Sequence, residues 1–451
     1  RANSKTKKES EKTTIEGTMI SLENETGYIT ALVGGSKFDQ ENQFIRAVQA
    51  RVQPGSSFKP LYYTEAIDSR KFTPATEISD TPTVFHTADG KPYIPLNFKG
   101  EWEGNVQVWY ALCRSMNVPS LKVLDTIGFD AAINRAVSLL GISKEELPSR
   151  AFVPGYPIGL GVCSVRPIEM ARAFSIIASG GKEITPMSIR TVEDKNGNII
   201  LNPEKEIREA QLAKGEAIQT LSPQTAFVMS KLLENTVHGP GTLSAQSWKF
   251  DYKTETGKKF TMPAGGKTGT TQNWADAWTV GFTPYNTAAF WFGFDKPGQS
   301  LGLKITGATL AGFAWGDYMR QIHRGLPLKD FPKPTEGVIQ CTVCSESGMI
   351  PTPECGSHLT TQWFLSGTQP TSICPIHSNK TGSALGIARL QREKYQSGQH
   401  MTAKIDTSPL QLDLSFLGIS TGSSAANKND SLNTIQDEEP EELPDFNYFM
   451  Q

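Results

Sequence analysis

Two serines stand side by side in Arg51–Pro60 (RVQPGSSFKP), three and two residues ahead of Lys59. A serine hydroxyl is a poor nucleophile until a neighbouring base takes its proton, and a lysine whose pKa is lowered by desolvation can be that base. Proline fits a helix only in its first turn, so Pro60 predicts a helix that starts near Ser56. On such a helix Ser56 and Lys59, at i and i+3, share one face, while Ser57 points elsewhere. The spacing therefore selects Ser56 as nucleophile and Lys59 as base. The helix N-terminus would also offer backbone N–H groups and a positive dipole end to a developing oxyanion.

An isolated Ser-x-x-Lys quartet carries little, because Ser4–Lys7 and Ser179–Lys182 match it too. Order along the chain carries more. Ser115-Met116-Asn117 follows a run of helical period, and Lys267-Thr268-Gly269-Thr270 precedes the strand-like DAWTVGF. A second serine near a lysine can relay a proton to a leaving group, and an asparagine amide can hold a substrate amide. A Lys-Thr-Gly strand edge can bind a carboxylate and supply an oxyanion N–H. Lys380-Thr381-Gly382 and Ser431-Leu432-Asn433 repeat the tripeptides, but in turn-rich or tail sequence.

Elements that could position these groups are visible in the period of the sequence. Thr18–Gly34 reads as a hairpin around Glu-Asn-Glu-Thr-Gly, and Asp276–Phe282 with Thr287–Asp295 reads as a second one. Helical period covers Leu61–Ser69, Asn105–Asn117, Ile168–Ala178, Pro223–Thr236 and Thr309–Arg324. Strands near both ends with helices between them predict an α+β domain, its antiparallel sheet assembled from distant segments around an inserted helical subdomain. The expected division is a linker at 1–15, a catalytic domain at 16–335, a cysteine-rich segment at 336–390, and a tail at 391–451 with the composition of a disordered segment.

At 451 residues the chain can bury a large core, and its 44 basic and 46 acidic residues leave a formal net charge of -2. That balance gives no field for steering nucleic acid or anionic lipid. The chain opens on Arg1 in a polar, lysine-rich stretch, so it is expected to continue a longer polypeptide, and any anchor or export signal is expected upstream. Cys113 and Cys163 stand alone in apolar surroundings and read as buried small hydrophobes.

The three motifs, in this order, resemble the S-x-x-K, S-x-N and K-T-G set of the serine acyl-enzyme superfamily of penicillin-binding proteins and serine β-lactamases. ITALVGG (29–35), QFIRAVQARVQPGSSFKP (43–60), YIPLNFKGEWEGNVQV (93–108), ALCRSMNVPS (111–120) and GGKTGTTQNWADAWTVGFTP (265–284) resemble the transpeptidase domain of class A, bifunctional penicillin-binding proteins. The resemblance covers roughly residues 16 to 335. It implies the serine β-lactamase/penicillin-binding transpeptidase fold, with Ser56 acylated, Lys59 as base, and Ser115 as proton relay. Asn117 would orient Lys59 and the substrate amide, Lys267 would hold the electrostatics of the site, and Thr268, Gly269 and Thr270 would bind the substrate. The backbone N–H groups of Ser56 and Thr270 would form the oxyanion hole. The implied reaction is D-Ala-D-Ala transpeptidation between peptidoglycan stem peptides, with penicillins acylating Ser56, no cofactor, and no metal in the site. The implied location is the extracytoplasmic, periplasmic face of a bacterial membrane, reached through an upstream anchor. A glycosyltransferase domain would precede the chain.

Three positions depart from the resemblance. His238–Leu243 (HGPGTL) stands where the family carries a GTG-like signature, so a different loop is expected there. Arg46 follows Phe44-Ile45 where an asparagine is common, and Val52 replaces a frequent arginine.

Cys341, Cys344, Cys355 and Cys374, with His358 and His377, admit disulfides, free thiols or zinc. The second cysteine pair lacks the close spacing of a zinc knuckle, and an extracytoplasmic location favours disulfides or free thiols. Alternatives to transpeptidation are a D,D-carboxypeptidase, and a β-lactamase, which needs a water-activating carboxylate; Glu169 reads instead as part of a core helix. A penicillin-sensing or scaffold domain has no need for two lysines near a serine. A Ser-His-Asp hydrolase would place its nucleophile in Gly418-Ile419-Ser420-Thr421-Gly422, but the sequence that follows is not helical.

Overall fold

The computed structural model describes residues 14–377, apart from 41, 99 and 297. The expected tail and Ser420 lie outside the described residues, as do most of the linker, the end of the cysteine-rich segment, Ser4, and the repeated tripeptides at 380–382 and 431–433.

A five-stranded antiparallel sheet runs through the molecule. Its strands are β1 (Glu16–Glu23), β2 (Ile29–Val33), β3 (Gly265–Thr270), β4 (Ala277–Phe282) and β5 (Asn286–Gly293), in the spatial order β3-β4-β5-β1-β2. β1 pairs with β5 from Glu16–Gly293 to Glu23–Asn286, joining segments more than half the chain apart. Both faces of this sheet are covered. Along β5, Ala289 and Trp291 enter one apolar core and Ala288 and Phe290 the other, which is the two-residue alternation of a strand. The sheet is therefore apolar on both sides, and every residue of β4 is buried. Helix α7 (Gly312–Ile322) packs on the second face through Trp315, and Gly281 leaves the space for that indole.

The helical layer on the first face contains α1 (Lys59–Asp68), α2 (Val108–Cys113), α3 (Asn117–Ile127), α4 (Phe129–Leu140), α5 (Pro167–Ala178) and α6 (Pro223–Val237). Pro60, Pro167 and Pro223 each stand in a first helical turn. The helix expected over Asn105–Asn117 is not one helix. Gly104–Gln107 is a strand paired with Glu77–Asp80, α2 follows, and the chain then turns through Ser115 at φ 64° before α3 starts at Asn117. A segment this short shows no clear period, and strand pairing decided its first three residues, Asn105–Gln107.

The cysteine-rich segment forms a hairpin of β6 (Val338–Cys344) and β7 (Leu359–Leu365). It docks on α6 through an edge-to-face pair of Phe227 and Trp363, and Gln107 Nε2 donates to the Cys344 carbonyl at 2.9 Å. No disulfide joins any of the six cysteines, and Cys113 and Cys163 are buried in apolar surroundings. Cys341 and Cys344 lie three apart on one strand, so their side chains leave on opposite faces. Cys341 packs beside Val343 and Phe364, whereas Cys344 turns to Cys355 and Cys374. The CxxC is therefore not a pair of partners.

Candidate active site

Ser56 lies in a single 3₁₀ turn, Gly55–Phe58, that runs directly into α1. The turn is fixed from several sides. Trp278 Nε1 donates to the Gln53 carbonyl at 2.8 Å, and Val52 exchanges two backbone hydrogen bonds with Val165. Ser57 is fully buried with its hydroxyl donating to the Pro54 carbonyl at 2.7 Å. Ser56 is half-buried, and its hydroxyl makes no hydrogen bond within the described residues. The two serines thus divide into a pinned one and an accessible one, as helical spacing predicts.

Lys59 is fully buried. Its Nζ donates to the Ser115 carbonyl at 2.8 Å, the Met116 carbonyl at 3.0 Å and Asn117 Oδ1 at 2.8 Å. Burial pushes its pKa well below the usual lysine value, and the charge of Lys267 pushes it further the same way. Lys267 is also fully buried, on β3, and its Nζ donates to Ser115 Oγ at 2.7 Å and to the Thr268 carbonyl at 3.0 Å. Desolvation brings its pKa down to about 7, against a smaller upward pull from Cys113. Ser115 joins the two lysines, its carbonyl facing Lys59 and its hydroxyl facing Lys267. The left-handed backbone at Ser115 aims both groups inward, a conformation that non-glycine residues adopt uncommonly.

β3 is an edge strand of the sheet and runs beside the Ser56 turn. A Cβ on Gly269 would sit 2.2 Å from the Pro54 carbonyl oxygen, and one on Gly55, which has φ +53°, would sit 2.9 Å from the Thr270 carbonyl. Gly269 therefore serves close approach of strand and turn. Thr270 Oγ1 accepts from the Gly307 N–H at 3.0 Å, which leaves its own proton available to a ligand.

Two further residues, Thr242 and Asn97, which lie in stretches quoted above without a role in the site, join it here. Thr242 Oγ1 is 2.8 Å from Thr268 Oγ1, and its N–H donates to the Cys113 carbonyl at 3.1 Å. The glycines of His238–Leu243 were the available signal, because a Cβ on Gly241 would lie 2.3 Å from Thr236 Cα, so the loop folds tightly back on α6. Asn97 Oδ1 accepts from the Asn117 N–H at 3.0 Å, while its Nδ2 donates to the buried Asp80 at 2.7 Å. No local period marks Asn97. Asn117 Nδ2 donates to the Leu96 carbonyl at 2.8 Å, so this loop orients the amide that holds Lys59.

A family model described as the penicillin binding protein transpeptidase domain matches residues 17–311. The chain belongs to this transpeptidase family. A second model, the C-terminal domain of penicillin-binding protein 1A, matches residues 334–379, which makes the chain the transpeptidase portion of a class A penicillin-binding protein. Penicillin-binding protein 1A of Aquifex aeolicus is 30% identical over 360 residues, covering 80% of this chain and 45% of that protein. The Neisseria gonorrhoeae protein of the same name is 33% identical over 328 residues, covering 72% and 38%. The chain thus spans less than half the length of these relatives. Penicillin-binding protein 1A from Haemophilus influenzae superposes with TM-score 0.68 at 24% identity, over 80% of this chain and 54% of that one. PonA1 from Mycobacterium tuberculosis, solved in complex with penicillin V, gives 0.56 at 24%, over 71% and 81%. At that identity both structures show the fold.

In this member of the transpeptidase family Glu169 is not a free carboxylate. Arg150 Nη1 donates to both of its oxygens at 2.9 and 2.8 Å, and the Arg166 backbone and side chain hold them at 2.7 and 3.1 Å. The side chains grouped closely enough to hold a metal lie in the cysteine-rich segment. Among the described residues no helix is long and apolar enough to cross a membrane.

Proposed function

We propose that the chain catalyses D-Ala-D-Ala transpeptidation between peptidoglycan stem peptides through an acyl-enzyme on Ser56, and that penicillins acylate the same hydroxyl. The observation that carries this reading is Ser115 held between two buried lysines next to an accessible Ser56. Buried amines whose pKa values are pushed down, Lys267 to about 7, give up and take protons more readily than solvated lysines, which a structural lysine pair has no reason to do.

A neutral amine has two N–H groups and one lone pair. Lys59 therefore keeps Asn117 Oδ1 and one carbonyl, releases the other, and takes the Ser56 proton as Oγ attacks the penultimate D-Ala carbonyl carbon. The backbone N–H groups of Ser56 and Thr270 donate hydrogen bonds to the developing oxyanion. As the C–N bond breaks, the leaving D-Ala amine takes the Ser115 hydroxyl proton, which Lys267 replaces. Lys59 has then gained one proton and Lys267 has lost one. When an acceptor amine attacks the acyl carbon, its surplus proton passes through Ser115 to Lys267, and Lys59 reprotonates the departing Ser56 oxygen. Charge and protons return to their starting arrangement. Lys267, Thr268 and Thr270, with Thr242 behind Thr268, bind the terminal carboxylate, and the second N–H of Asn117 is available to the substrate amide.

The capture of Glu169 by Arg150 and Arg166 argues against a β-lactamase built on that residue. An anchor and a glycosyltransferase domain upstream, with the transpeptidase on the extracytoplasmic face, belong to the same proposal. The test is labelling with a fluorescent penicillin and mapping of the labelled peptide by mass spectrometry. A long-lived adduct on Ser56, absent in Ser56→Ala, is expected; an adduct on Ser57, or none on folded protein, would overturn the assignment. Cross-linked product from a stem-peptide donor with an added amine acceptor separates transfer from simple hydrolysis.

A further inference from the structure

We propose that Cys344, Cys355, Cys374 and His377 bind one structural zinc ion that staples the cysteine-rich segment. Three separate pieces of chain converge there. Cys344 ends β6, Cys355 closes the 3₁₀ turn Pro353–Cys355, and Cys374 and His377 lie in the loop after β7. The four ligand atoms all lie within 4.8 Å of one another, and all four residues are buried. His377 Nδ1 is 3.4 Å from both the Cys344 and the Cys374 sulfur. Zn–S bonds of about 2.3 Å and Zn–N bonds of about 2.0 Å at tetrahedral angles put sulfur and nitrogen about 3.5 Å apart. A disulfide between any two of these cysteines would leave the third thiol and the imidazole buried in the same small cluster without a purpose.

The surroundings of the four side chains fit the ion as well. His377 presents its other nitrogen, Nε2, to Glu346 Oε1 at 3.5 Å, and Glu346 also meets His358 Nδ1 at 2.9 Å. A carboxylate behind a ligating imidazole fixes its tautomer and ring orientation. Backbone N–H groups of Ser347 and Thr352 donate to the Cys344 and Cys355 sulfurs at 3.5 and 3.3 Å, which holds both sulfurs in place. Four protein ligands fill the shell of a tetrahedral ion, so the site is structural, and a three-sulfur, one-nitrogen set suits zinc. Binding needs no oxidant or reductant: each thiol releases its proton to solvent and Nδ1 donates its lone pair.

The segment has reason to need a staple. Its sheet is a single hairpin, and the apolar cluster around the three sulfurs adds little beyond Ile376. A two-stranded hairpin is marginal in water by itself; this one docks on α6, but the loops that carry the ligands have little apolar core of their own, a situation in which metals or cross-links serve. The loops do meet in a bridge between Ile350 and Ile373, with the Cys374 N–H donating to the Ile350 carbonyl at 2.7 Å. The ion would lock that junction. Cys341, on the opposite face of β6, lies outside the set and supplies an internal control.

The test uses the full chain, expressed in zinc-supplemented medium, purified without chelator and assayed for metals by mass spectrometry. About one zinc per chain is expected for the wild type and for Cys341→Ser, falling at least fivefold in Cys355→Ser and His377→Ala. Replacement by cobalt(II) should give sulfur-to-metal charge-transfer and strong ligand-field bands in the wild type, absent from Cys355→Ser. If the variants fail to fold, wild-type protein stripped by chelator under reducing conditions should expose three additional titratable thiols, which added zinc masks again. Wild-type protein without zinc, a mapped disulfide among the three cysteines, or equal loss of metal in Cys341→Ser would each overturn the proposal.

Discussion

Replacing Lys267 by methionine should stabilise the protein at neutral pH while disabling it. Burial holds the Lys267 pKa at about 7 against an ordinary 10.5. At about 1.4 kcal/mol per tenfold change in proton affinity, keeping this ammonium in the folded protein at or below pH 7 costs about 5 kcal/mol. Lys267→Met removes that cost and keeps the side-chain length. It also leaves Ser115 Oγ and the Thr268 carbonyl without their donor, a loss of about 1–3 kcal/mol. The net gain expected near pH 6 is about 2–4 kcal/mol. Between about 7 and 10.5 the unfolded lysine is protonated and the folded one is neutral, so the unfolded state binds more protons. Wild-type stability therefore rises through that window relative to the variant, the gain shrinks, and by about pH 10 the variant should be the less stable protein. Urea unfolding of both proteins at about pH 6, 8 and 10, followed by tryptophan fluorescence, reads the crossover directly. Penicillin acylation should fall by about 10²–10⁴-fold. A variant less stable than wild type at pH 6, or a difference independent of pH, would refute the argument that Lys267 is held against its desolvation.

Acylation by penicillin should follow a bell-shaped pH profile that declines on the alkaline side from about pH 7 as Lys267 loses its proton; Lys267→Arg, which keeps its charge but cannot hand a proton to Ser115, should lower the rate across the range and remove that decline, and stopped-flow labelling across pH would show an unmoved limb if another group sets it. Gly269→Ala would force a methyl against the Pro54 carbonyl, so a destabilisation of about 1–3 kcal/mol is expected together with slower labelling of Ser56, measured by thermal melting and penicillin kinetics. Thr242→Val removes the hydroxyl that meets Thr268, and about a fivefold weaker second-order acylation constant is expected, about 1 kcal/mol, with an unchanged melting temperature separating a site effect from a folding one.

Much of the geometry of the candidate site was legible because it is local. Pro60 fixed a helix start, and i, i+3 spacing then separated Ser56 from Ser57; the structure shows one hydroxyl accessible and the other tied to Pro54. Helix positions 167–178 and 223–237 follow from apolar period and first-turn prolines for the same reason. Asn105–Asn117 misled because Asn105–Gln107 is too short to show a period of its own, and its pairing partner within Glu77–Asp80 lies far back in the sequence. Thr242 and Asn97 act on the site from loops whose own residues show no periodicity.

Residue type and spacing by themselves determined that this chain carries a serine with a lysine one turn away, followed in order by a Ser-Met-Asn and a Lys-Thr-Gly-Thr, within an α+β pattern. Tertiary structure decided what those groups are. Lys59 and Lys267 are ordinary solvated amines until packing withdraws water from both, and Ser115 meets Lys267 across 152 residues of chain. The cysteines show the same division. The CxxC spacing suggests a pair, yet a strand sends its side chains to alternate faces, and the groups that meet are Cys344, Cys355, Cys374 and His377. Spacing along a chain reports neighbours only within one element, whereas desolvation and convergence of ligands depend on how elements pack.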